Sequence, residues 1–333
     1  MVDVCWKTSL KNALKSPEAL LDYVHLSHIK SNLSQSAQKI MPIRVPISFA
    51  SRIEKGNPFD PILLQVLPTI SEDIISNDHC HDPLQENVQI PYQGIIHKYK
   101  SRALLIANSA CAVHCRYCFR REFDYSEHIP NKKDWLNAFQ YIQEDKNINE
   151  VILSGGDPLL LSDRQIAFFI QNITDITHVK RLRIHSRIPV VLPERITNTL
   201  IKLITSHRLS TILVIHSNHA NELSQQVKTI LLALRSELTL LNQSVLLKNI
   251  NDNVASLTEL SERLFECGVL PYYLHTLDKV TGTQHFNITD HKAWEIHQEL
   301  QQNLPGFLVP KLVKEVAFKK YKISISDYLF APK

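Results

Sequence analysis

The sequence predicts an α/β fold, a partial (β/α)6 barrel that is an open relative of the closed eight-stranded TIM barrel. Apolar runs rich in β-forming residues recur along the chain. The interval between the first two runs is longer, and the later runs are spaced by about thirty residues, the length of one βα unit. Helical patterns lie between the runs, and alternating strands and helices form parallel sheets. The six predicted strands are residues 103–107, 151–153, 182–185, 211–216, 244–247 and 270–274.

The helical patterns divide the chain into three predicted parts. Residues 1–95 read as an N-terminal helical extension, with helical patterns at 6–14, 17–23 and 60–63. Residues 96–304 hold the barrel, and residues 305–333 form a short C-terminal segment. We expect both flanking parts to cover the open barrel. The barrel helices are predicted at 135–145, 163–174, 193–205, 221–232 and 254–265.

Composition and the N-terminal sequence narrow the class of protein. The chain has 333 residues, of which 44% are hydrophobic, enough to bury a substantial core. Its net charge of +4 comes from scattered basic residues, so nucleic acid is not an expected partner. The chain lacks the apolar run of about 18 residues that a membrane-spanning helix needs, so no membrane partner is expected. Residues 1–7 lack the features of a signal peptide, which predicts a cytoplasmic protein.

Three cysteines carry the most specific signal in the chain. Cys111, Cys115 and Cys118 form a C-x3-C-x2-C motif directly after the first predicted strand. Three thiolates on one loop can bind three irons of a [4Fe–4S] cluster, which leaves the fourth iron open to a small ligand. Structural zinc usually takes four Cys or His ligands from two separated pairs, and this loop adds only His114. We therefore favour an iron–sulfur cluster over zinc.

Polar residues follow several predicted strands, at the end where functional residues of such barrels lie. Ser154, Gly155, Gly156 and Asp157 follow the second strand, and two adjacent glycines allow a ligand to approach the backbone closely. A Gly-Gly-Asp-Pro segment alone also fits an ordinary turn. His216 ends the fourth strand, where a single histidine more often caps or packs, but its position among other polar strand ends favours a site.

Together these motifs resemble those of one enzyme family. Segments 115–121, 154–157, 216–219, 246–252 and 271–278 are similar to the lysine 2,3-aminomutases, which are radical S-adenosylmethionine enzymes. The match covers most of residues 90–322. Within that family the chain is most similar to the bacterial members that make (R)-β-lysine for the modification of elongation factor P. The resemblance therefore implies an isomerase, a lysine 2,3-aminomutase.

The resemblance implies three cofactors: a [4Fe–4S] cluster, S-adenosyl-L-methionine and pyridoxal 5′-phosphate. In the family, a Gly-Gly-Asp or Gly-Gly-Glu segment binds the amino group of the methionine moiety, and a lysine near the C-terminus carries pyridoxal phosphate. Two of the implied residues, Arg102 and Tyr99, also fit a structural role at the surface. The implied binding residues are Cys111, Cys115 and Cys118 for the cluster, Ser154, Gly155, Gly156 and Asp157 for S-adenosylmethionine, and Lys322, Arg102 and Tyr99 for pyridoxal phosphate. His216 is a further implied cofactor-binding residue.

Lys322 is assigned by its distance from an acidic residue. Family members carry an acidic residue seven positions before the lysine, and Glu315 keeps that offset. The glycine-rich run usual before the lysine is replaced here by residues 316–321, and Lys319 and Lys320 lie close enough in sequence to compete. A solvated basic tail is the other interpretation of this segment.

The resemblance also implies how an amino acid binds. Arg120 matches the residue that grips the substrate carboxylate, which a guanidinium does through two parallel hydrogen bonds. Asp278 and Glu315 match the acidic pair that holds the side-chain ammonium of L-lysine. The implied product is (R)-β-lysine. The implied partners are an electron donor such as flavodoxin or ferredoxin and, through a functional link, elongation factor P with its lysyl ligase.

Two alternatives stay open. The first is an aminomutase for another amino acid, although Asp278 and Glu315 argue against an acidic side chain. The second is a non-catalytic iron–sulfur or zinc module that binds RNA through Arg116, Arg120 and Arg121. This module would leave the Ser-Gly-Gly-Asp segment and the polar strand ends unexplained.

Overall fold

A nine-stranded sheet, with its strands in sequence order, forms the centre of the computed structural model, which describes residues 5–122 and 130–330. All pairs from β2 to β8 are parallel, whereas β1 and β9 pair antiparallel at the two edges. Within these residues no pairing joins β9 back to β1, so the barrel is open. The strands are β1 Ile95–Tyr99, β2 Arg102–Asn108, β3 Glu150–Gly155, β4 Arg181–Ser186, β5 Ser210–His216, β6 Thr239–Val245, β7 Leu270–His275, β8 Lys311–Lys314 and β9 Ile323–Ser324.

Helices connect the parallel strands, and polar caps fix where the long helices begin. The Asn131 side chain accepts hydrogen bonds from the backbone of Lys133 and Asp134, and the Asp134 carboxylate accepts one from the backbone of Asn131. None of the described helices has the length and apolar character needed to cross a membrane. The helices are α1 Trp6–Lys11, α2 Pro17–Tyr23, α3 Gln35–Ile40, α4 Ile47–Ala50, α5 Pro61–Leu64, α6 Lys132–Glu144, α7 Asp163–Asp175, α8 Ile188–Val191, α9 Asn198–Thr205, α10 Gln225–Arg235, α11 Val254–Glu266, α12 Asp290–Asn303 and α13 Ile325–Phe330.

The N-terminal helices pack into the same hydrophobic core as the barrel. Leu20, Phe49 and Leu63 are fully buried in one cluster with Ile184 of β4 and Leu213 of β5. Burying a side chain of this size contributes roughly 1.5–3 kcal/mol. Apolar contacts therefore hold the N-terminal helices firmly against the barrel.

The predicted fold class is confirmed, and the six predicted strands correspond to β2 through β7. The fifth predicted strand, 244–247, is wrong in its bounds, because β6 already begins at Thr239 and ends at Val245. Asn242 and Ser244 interrupt the apolar pattern, yet both are buried because they hydrogen-bond the backbone of Ser217. Because these polar residues have partners inside the protein, the apolar pattern did not predict most of β6.

The C-terminal segment extends the sheet, whereas the sequence predicted only a tail. Strand β8 pairs in parallel with β7, and β9 turns back antiparallel to β8. Strand β8 has four residues, of which Lys311 and Lys314 are charged, so it gave no strand signal. The predicted helix at 193–205 is also interrupted, because only α9 is α-helical and residues 193–195 form a 3-10 turn. The division of the chain at residues 95 and 304 stays a prediction.

We expect Phe318→Gly to stabilise the protein. Phe318 lies between β8 and β9 with a left-handed φ of +62°, and its side chain is 64% exposed. A residue with a Cβ pays about 1 kcal/mol for this conformation, so glycine should raise the free energy of unfolding by up to about 1 kcal/mol in a denaturant titration. Tyr321→Gly is the matched control, because Tyr321 is 67% exposed without a positive φ and should lose stability. Destabilisation by Phe318→Gly would contradict this expectation.

Candidate active site

The cysteine loop, residues 111–118, follows β2 and is fixed by segments that adjoin the N-terminal helices. The Arg44 guanidinium donates to the carbonyl of the first cysteine at 3.0 Å, and the Arg44 carbonyl accepts from the backbone N–H of His114 at 3.1 Å. The backbone N–H of Arg116 donates to the Gln65 carbonyl at 2.9 Å. Residues far earlier in the chain therefore set the path of the loop.

A buried ion network holds the arginines on either side of Cys118. The Glu72 carboxylate accepts from Arg116 Nε at 2.8 Å and Nη2 at 2.7 Å, and from Arg121 Nη2 at 2.7 Å. All three side chains are at most 1% exposed. Removing one partner from a buried pair leaves an uncompensated charge and typically costs about 3–5 kcal/mol. Glu72 thus locks the loop around its last cysteine.

A second buried network brings a guanidinium to the sulfur of Cys115. Arg187 directly follows β4, and its Nη1 donates to Cys115 Sγ. Its Nη2 donates to Glu222 at 2.9 Å and to Gln65 Oε1 at 2.7 Å. A cationic donor stabilises the thiolate form of cysteine, which is the form that binds iron. The sequence placed Arg187 at a polar strand end without indicating this contact.

The cysteine loop fits a [4Fe–4S] cluster better than one zinc ion. Its three cysteines are free thiols on a single short loop, and Arg187 brings positive charge to one of them. In the described part of the chain, no three Cys, His, Asp or Glu side chains are grouped so as to hold a metal ion. A cluster makes a different demand, because each thiolate binds its own iron. Cys111, Cys115 and Cys118 are the residues that would hold it.

Gly155 and Gly156 at the end of β3 are required because the chain itself approaches them. A Cβ on Gly155 would lie 2.4 Å from the Asn108 carbonyl oxygen, and one on Gly156 would lie 2.4 Å from that of Ala110. The N–H of Gly156 donates to Asn108 at 2.5 Å. The sequence explained these glycines by ligand approach, whereas the structure shows them packing against the start of the cysteine loop. Their contact with S-adenosylmethionine stays a prediction.

The Asp157 carboxylate points to the neighbouring strand end. It accepts hydrogen bonds from Ser186 Oγ at 2.7 Å and from the backbone N–H groups of Arg187 at 2.8 Å and Leu159 at 3.0 Å. Burial raises the pKa of Asp157 to about 6 in spite of these bonds. Asp157 therefore ties the end of β3 to the end of β4, and its predicted role with S-adenosylmethionine stays a prediction.

His216, at the end of β5, contacts the cysteine loop. Its Nε2 lies 2.8 Å from the Tyr117 hydroxyl, and the two rings stack with centroids 5.7 Å apart. Burial lowers the pKa of His216 to about 3, so the ring is neutral near pH 7. The structure thus places His216 beside the loop, and its role in cofactor binding stays a prediction.

Lys322, just before β9, lies in a group of alternating charges. Its ammonium pairs with Glu315, whose Oε1 also accepts from Lys98 Nζ at 3.1 Å and from the Tyr99 hydroxyl at 3.3 Å. Burial raises the pKa of Glu315, but Lys322 and Lys98 outweigh it and hold this pKa well below its usual range. The carboxylate is therefore ionised whenever the site is folded near neutral pH.

The surroundings of the three candidate lysines favour Lys322. The Lys322 side chain is 21% exposed and its Nζ lies 5.9 Å from the centre of the Tyr273 ring. Lys319 and Lys320 are exposed at the surface. A pyridoxal phosphate amine must face the site, so geometry supports the assignment that the sequence made by offset alone.

Arg120 connects this charged group to the cysteine loop. It lies two residues after Cys118, and its Nε and Nη2 donate to the Glu86 carboxylate at 2.7 and 3.1 Å. Its Nη1 lies 3.5 Å from Ser154 Oγ. Glu86 Oε1 also lies 3.0 Å from Lys98 Nζ. The predicted carboxylate binder and the predicted cofactor lysine therefore belong to one site.

Asp278 follows β7 and stands apart from these pairs. Among the described residues its carboxylate makes no hydrogen bond or ion pair. Burial, and then the nearby Glu315, raise the pKa of Asp278 to about 7, while Lys322 acts in the opposite direction. A cation that entered the site would favour the ionised carboxylate. Asp278 thus has the properties expected of an ammonium binder.

The donors around Lys322 fit pyridoxal phosphate. Lys322 would supply the amine, and Arg102, whose guanidinium lies 4.0 Å over the Tyr99 ring, would supply a cation for the phosphate. His185, at the end of β4, has a buried Nε2 with no hydrogen-bond partner among the described residues. Burial lowers the pKa of His185 well below its usual value. The roles of Arg102 and Tyr99 at this cofactor stay predictions.

Three residues of the site were missed by the sequence analysis. His185 stood at a polar strand end, so the signal for it was present. Glu86 and Lys98 carried none, because they reach Arg120 and Glu315 across 34 and 217 residues of chain. Only the folded structure brings these charges together.

The chain is similar to known proteins of one enzyme family. Residues 105–253 match the family model of the Radical SAM superfamily. The L-lysine 2,3-aminomutase of Buchnera aphidicola is 46% identical over 96% of this chain and 95% of its own. That of Haemophilus influenzae is 46% identical over 94% of this chain and 93% of its own. That of Escherichia coli is 44% identical over 93% of this chain and 91% of its own. The structure of TYW1 with a lysine-pyruvate adduct bound aligns with a TM-score of 0.38 and 14% identity over 67% of this chain and 80% of that one, too distant to support an argument.

We expect Gly156→Ala to impair cluster binding. The new Cβ would push the Ala110 carbonyl, and with it the start of the cysteine loop, at a cost of about 1–3 kcal/mol. Iron and sulfide bound per chain after anaerobic reconstitution should fall. Gly306→Ala is the control, because no atom lies within 4 Å of a Cβ there. Full iron content and unchanged stability in Gly156→Ala would show that the loop yields without cost.

Proposed function

The chain belongs to the lysine 2,3-aminomutase family of radical S-adenosylmethionine enzymes, and from this premise we propose that it converts L-α-lysine into (R)-β-lysine. The observation that carries this proposal is the placement of opposite charges in one site. Arg120 lies on the side of the cysteine loop, and Asp278 and Glu315 lie around Lys322. L-lysine carries a carboxylate at one end and an ammonium at the other, so it matches both.

The family uses a [4Fe–4S] cluster, S-adenosylmethionine and pyridoxal phosphate, which when bound supply a carbon radical and a carrier for the migrating amino group. The chain's own residues bind and orient. Cys111, Cys115 and Cys118 would hold the cluster, and Lys322 would hold pyridoxal phosphate with Arg102 as the cationic partner of its phosphate. Holding the reacting carbons in place and keeping water out are the protein's main contributions.

The substrate would be gripped at both ends. The Arg120 guanidinium binds a carboxylate through two parallel hydrogen bonds. Asp278 accepts the side-chain ammonium, and Glu315 adds a second negative charge nearby. An amino acid with a neutral side chain would leave Asp278 unpaired, and one with an acidic side chain would be repelled. These charges favour lysine over neutral and acidic amino acids.

We place the reaction in the cytoplasm and its product on the route to elongation factor P and the lysyl ligase of that factor. All six cysteines are free thiols, which fits a reducing compartment. A flavodoxin or ferredoxin would supply the electron that the cluster needs. The link to elongation factor P rests on the resemblance to the bacterial members of the family.

The first test is anaerobic turnover with lysine, S-adenosylmethionine, pyridoxal phosphate and a reductant, followed by mass spectrometry. We expect β-lysine and 5′-deoxyadenosine from the wild type, and neither from Cys115→Ala. Deoxyadenosine without β-lysine would contradict lysine as the substrate, and arginine and glutamate in parallel reactions would then identify a related one. Neither product from cluster-loaded wild type would favour the non-catalytic module.

Lysine turnover should depend on the ionisation of Asp278. Its pKa is raised to about 7, and a carboxyl group loses its charge below its pKa, so kcat/KM for lysine should fall about tenfold per pH unit below about pH 7. Asp278→Asn should have a low kcat/KM that does not fall further below pH 7, that is, a profile without the acid limb. Asp175→Asn, at the exposed end of α7, should keep the wild-type profile. An acid limb that persists in Asp278→Asn would assign it to another group.

A further inference from the structure

Five side chains form a continuous chain of alternating charges across the site. In order they are Arg120, Glu86, Lys98, Glu315 and Lys322. Arg120 donates to Glu86 at 2.7 and 3.1 Å, and Lys98 Nζ lies 3.0 Å from Glu86 and 3.1 Å from Glu315. Glu315 pairs in turn with Lys322. The predicted substrate-carboxylate binder and the predicted cofactor lysine are therefore linked by two residues that no motif indicated.

The middle of this chain is buried. The side chains of Glu86, Arg120 and Lys98 are 6%, 8% and 11% exposed. Burial raises the pKa of Glu86, but Arg120 and Lys98 outweigh it and leave this pKa below its usual value. For Lys98, burial lowers the pKa, but Glu86 and Glu315 outweigh burial and hold this pKa above its usual value. Each charge is thus stable only because of its neighbours, and removal of one would leave like charges facing each other.

Glu86 fixes the orientation of the Arg120 guanidinium. It accepts from both Nε and Nη2, and two parallel bonds define the plane of the group. Ser154 Oγ lies near the third nitrogen at 3.5 Å. A substrate carboxylate that accepts two parallel bonds from Nη1 and Nη2 must lie in that same plane. The orientation set by Glu86 is therefore the orientation that a substrate carboxylate would meet.

We propose that Glu86 is a positioning residue, which acts through Arg120 to select substrates that carry an α-carboxylate. The proposal rests on the proposed function, because it takes Arg120 as the binder of that carboxylate. Lys98 supports the arrangement by separating Glu86 from Glu315. Without Glu86, Arg120 and Lys98 are two neighbouring cations, and the guanidinium has lost the carboxylate that accepts from its Nε and Nη2.

The test compares the binding of L-lysine with that of L-lysinamide, which lacks the carboxylate charge. The anaerobic holoenzyme, with S-adenosylmethionine and without reductant, is dialysed to equilibrium against each labelled ligand, so that binding is measured without turnover. The wild type should prefer lysine. In Glu86→Gln, which keeps the shape of the side chain, the preference should fall by about tenfold while lysinamide binding changes little. Glu86→Asp, which keeps the charge one carbon further back, should give an intermediate preference.

Glu266→Gln is the matched control, because Glu266 is an exposed glutamate in an ion pair on α11 and should keep the wild-type preference. Equal weakening of both ligands in the Glu86 variants would show a merely structural role and overturn the proposal. If Glu86→Gln does not load its cofactors, Glu86→Asp decides the test. In that case, a preference for lysine as strong as that of the wild type would overturn the proposal. A wild type that binds lysine no better than lysinamide would instead overturn the proposed function itself.

Discussion

The site depends first on one buried carboxylate, that of Glu72, which is shared by two guanidiniums. Arg116 and Arg121 flank the last cysteine, and both donate to this carboxylate in a region with almost no solvent. The cysteine loop is otherwise a turn without regular secondary structure, so its position comes from such contacts. Because Arg120 belongs to the same stretch of chain, the loop that holds the cysteines also places the carboxylate binder.

A second carboxylate, that of Glu222, organises the strand ends around the same loop. It accepts from Arg187 at 2.9 Å, from Gln65 at 3.0 Å and from the backbone N–H of Asn218 at 2.8 Å. These partners come from the N-terminal helices, from the end of β4 and from the turn after β5. Buried polar groups that are paired in this way make the barrel opening rigid. The opening is polar because the pairs are needed to hold its loops, and not only because a ligand binds there.

The sequence predicted what local pattern determines. The three cysteines are recognised by their short spacing and the parallel strands by apolar runs, so these could be found without coordinates. Lys322 came from the offset that the family resemblance implies, and its role stays a prediction. The first half of β6 could not, because Asn242 interrupts the apolar pattern and is buried through hydrogen bonds to the backbone of Ser217 and to Ser244. Glu86 and Lys98 could not either, since nothing near them in sequence shows which distant charges they meet. For Gly155 and Gly156 the positions were right, but the contact that requires glycine is made by the chain itself.

The sheet order has a consequence for the biogenesis of the protein. Neighbouring strands follow one another along the chain, so a ribosome releases the parts of the site in spatial order from β1 to β9. The anchors of the cysteine loop, including Glu222, are synthesised well before β8 and β9, which flank Glu315 and Lys322. A nascent chain therefore contains everything that shapes the cysteine loop while Lys98 still lacks its second carboxylate. The part of the site around the cysteine loop can fold during translation, whereas the part around Lys322 must wait for release.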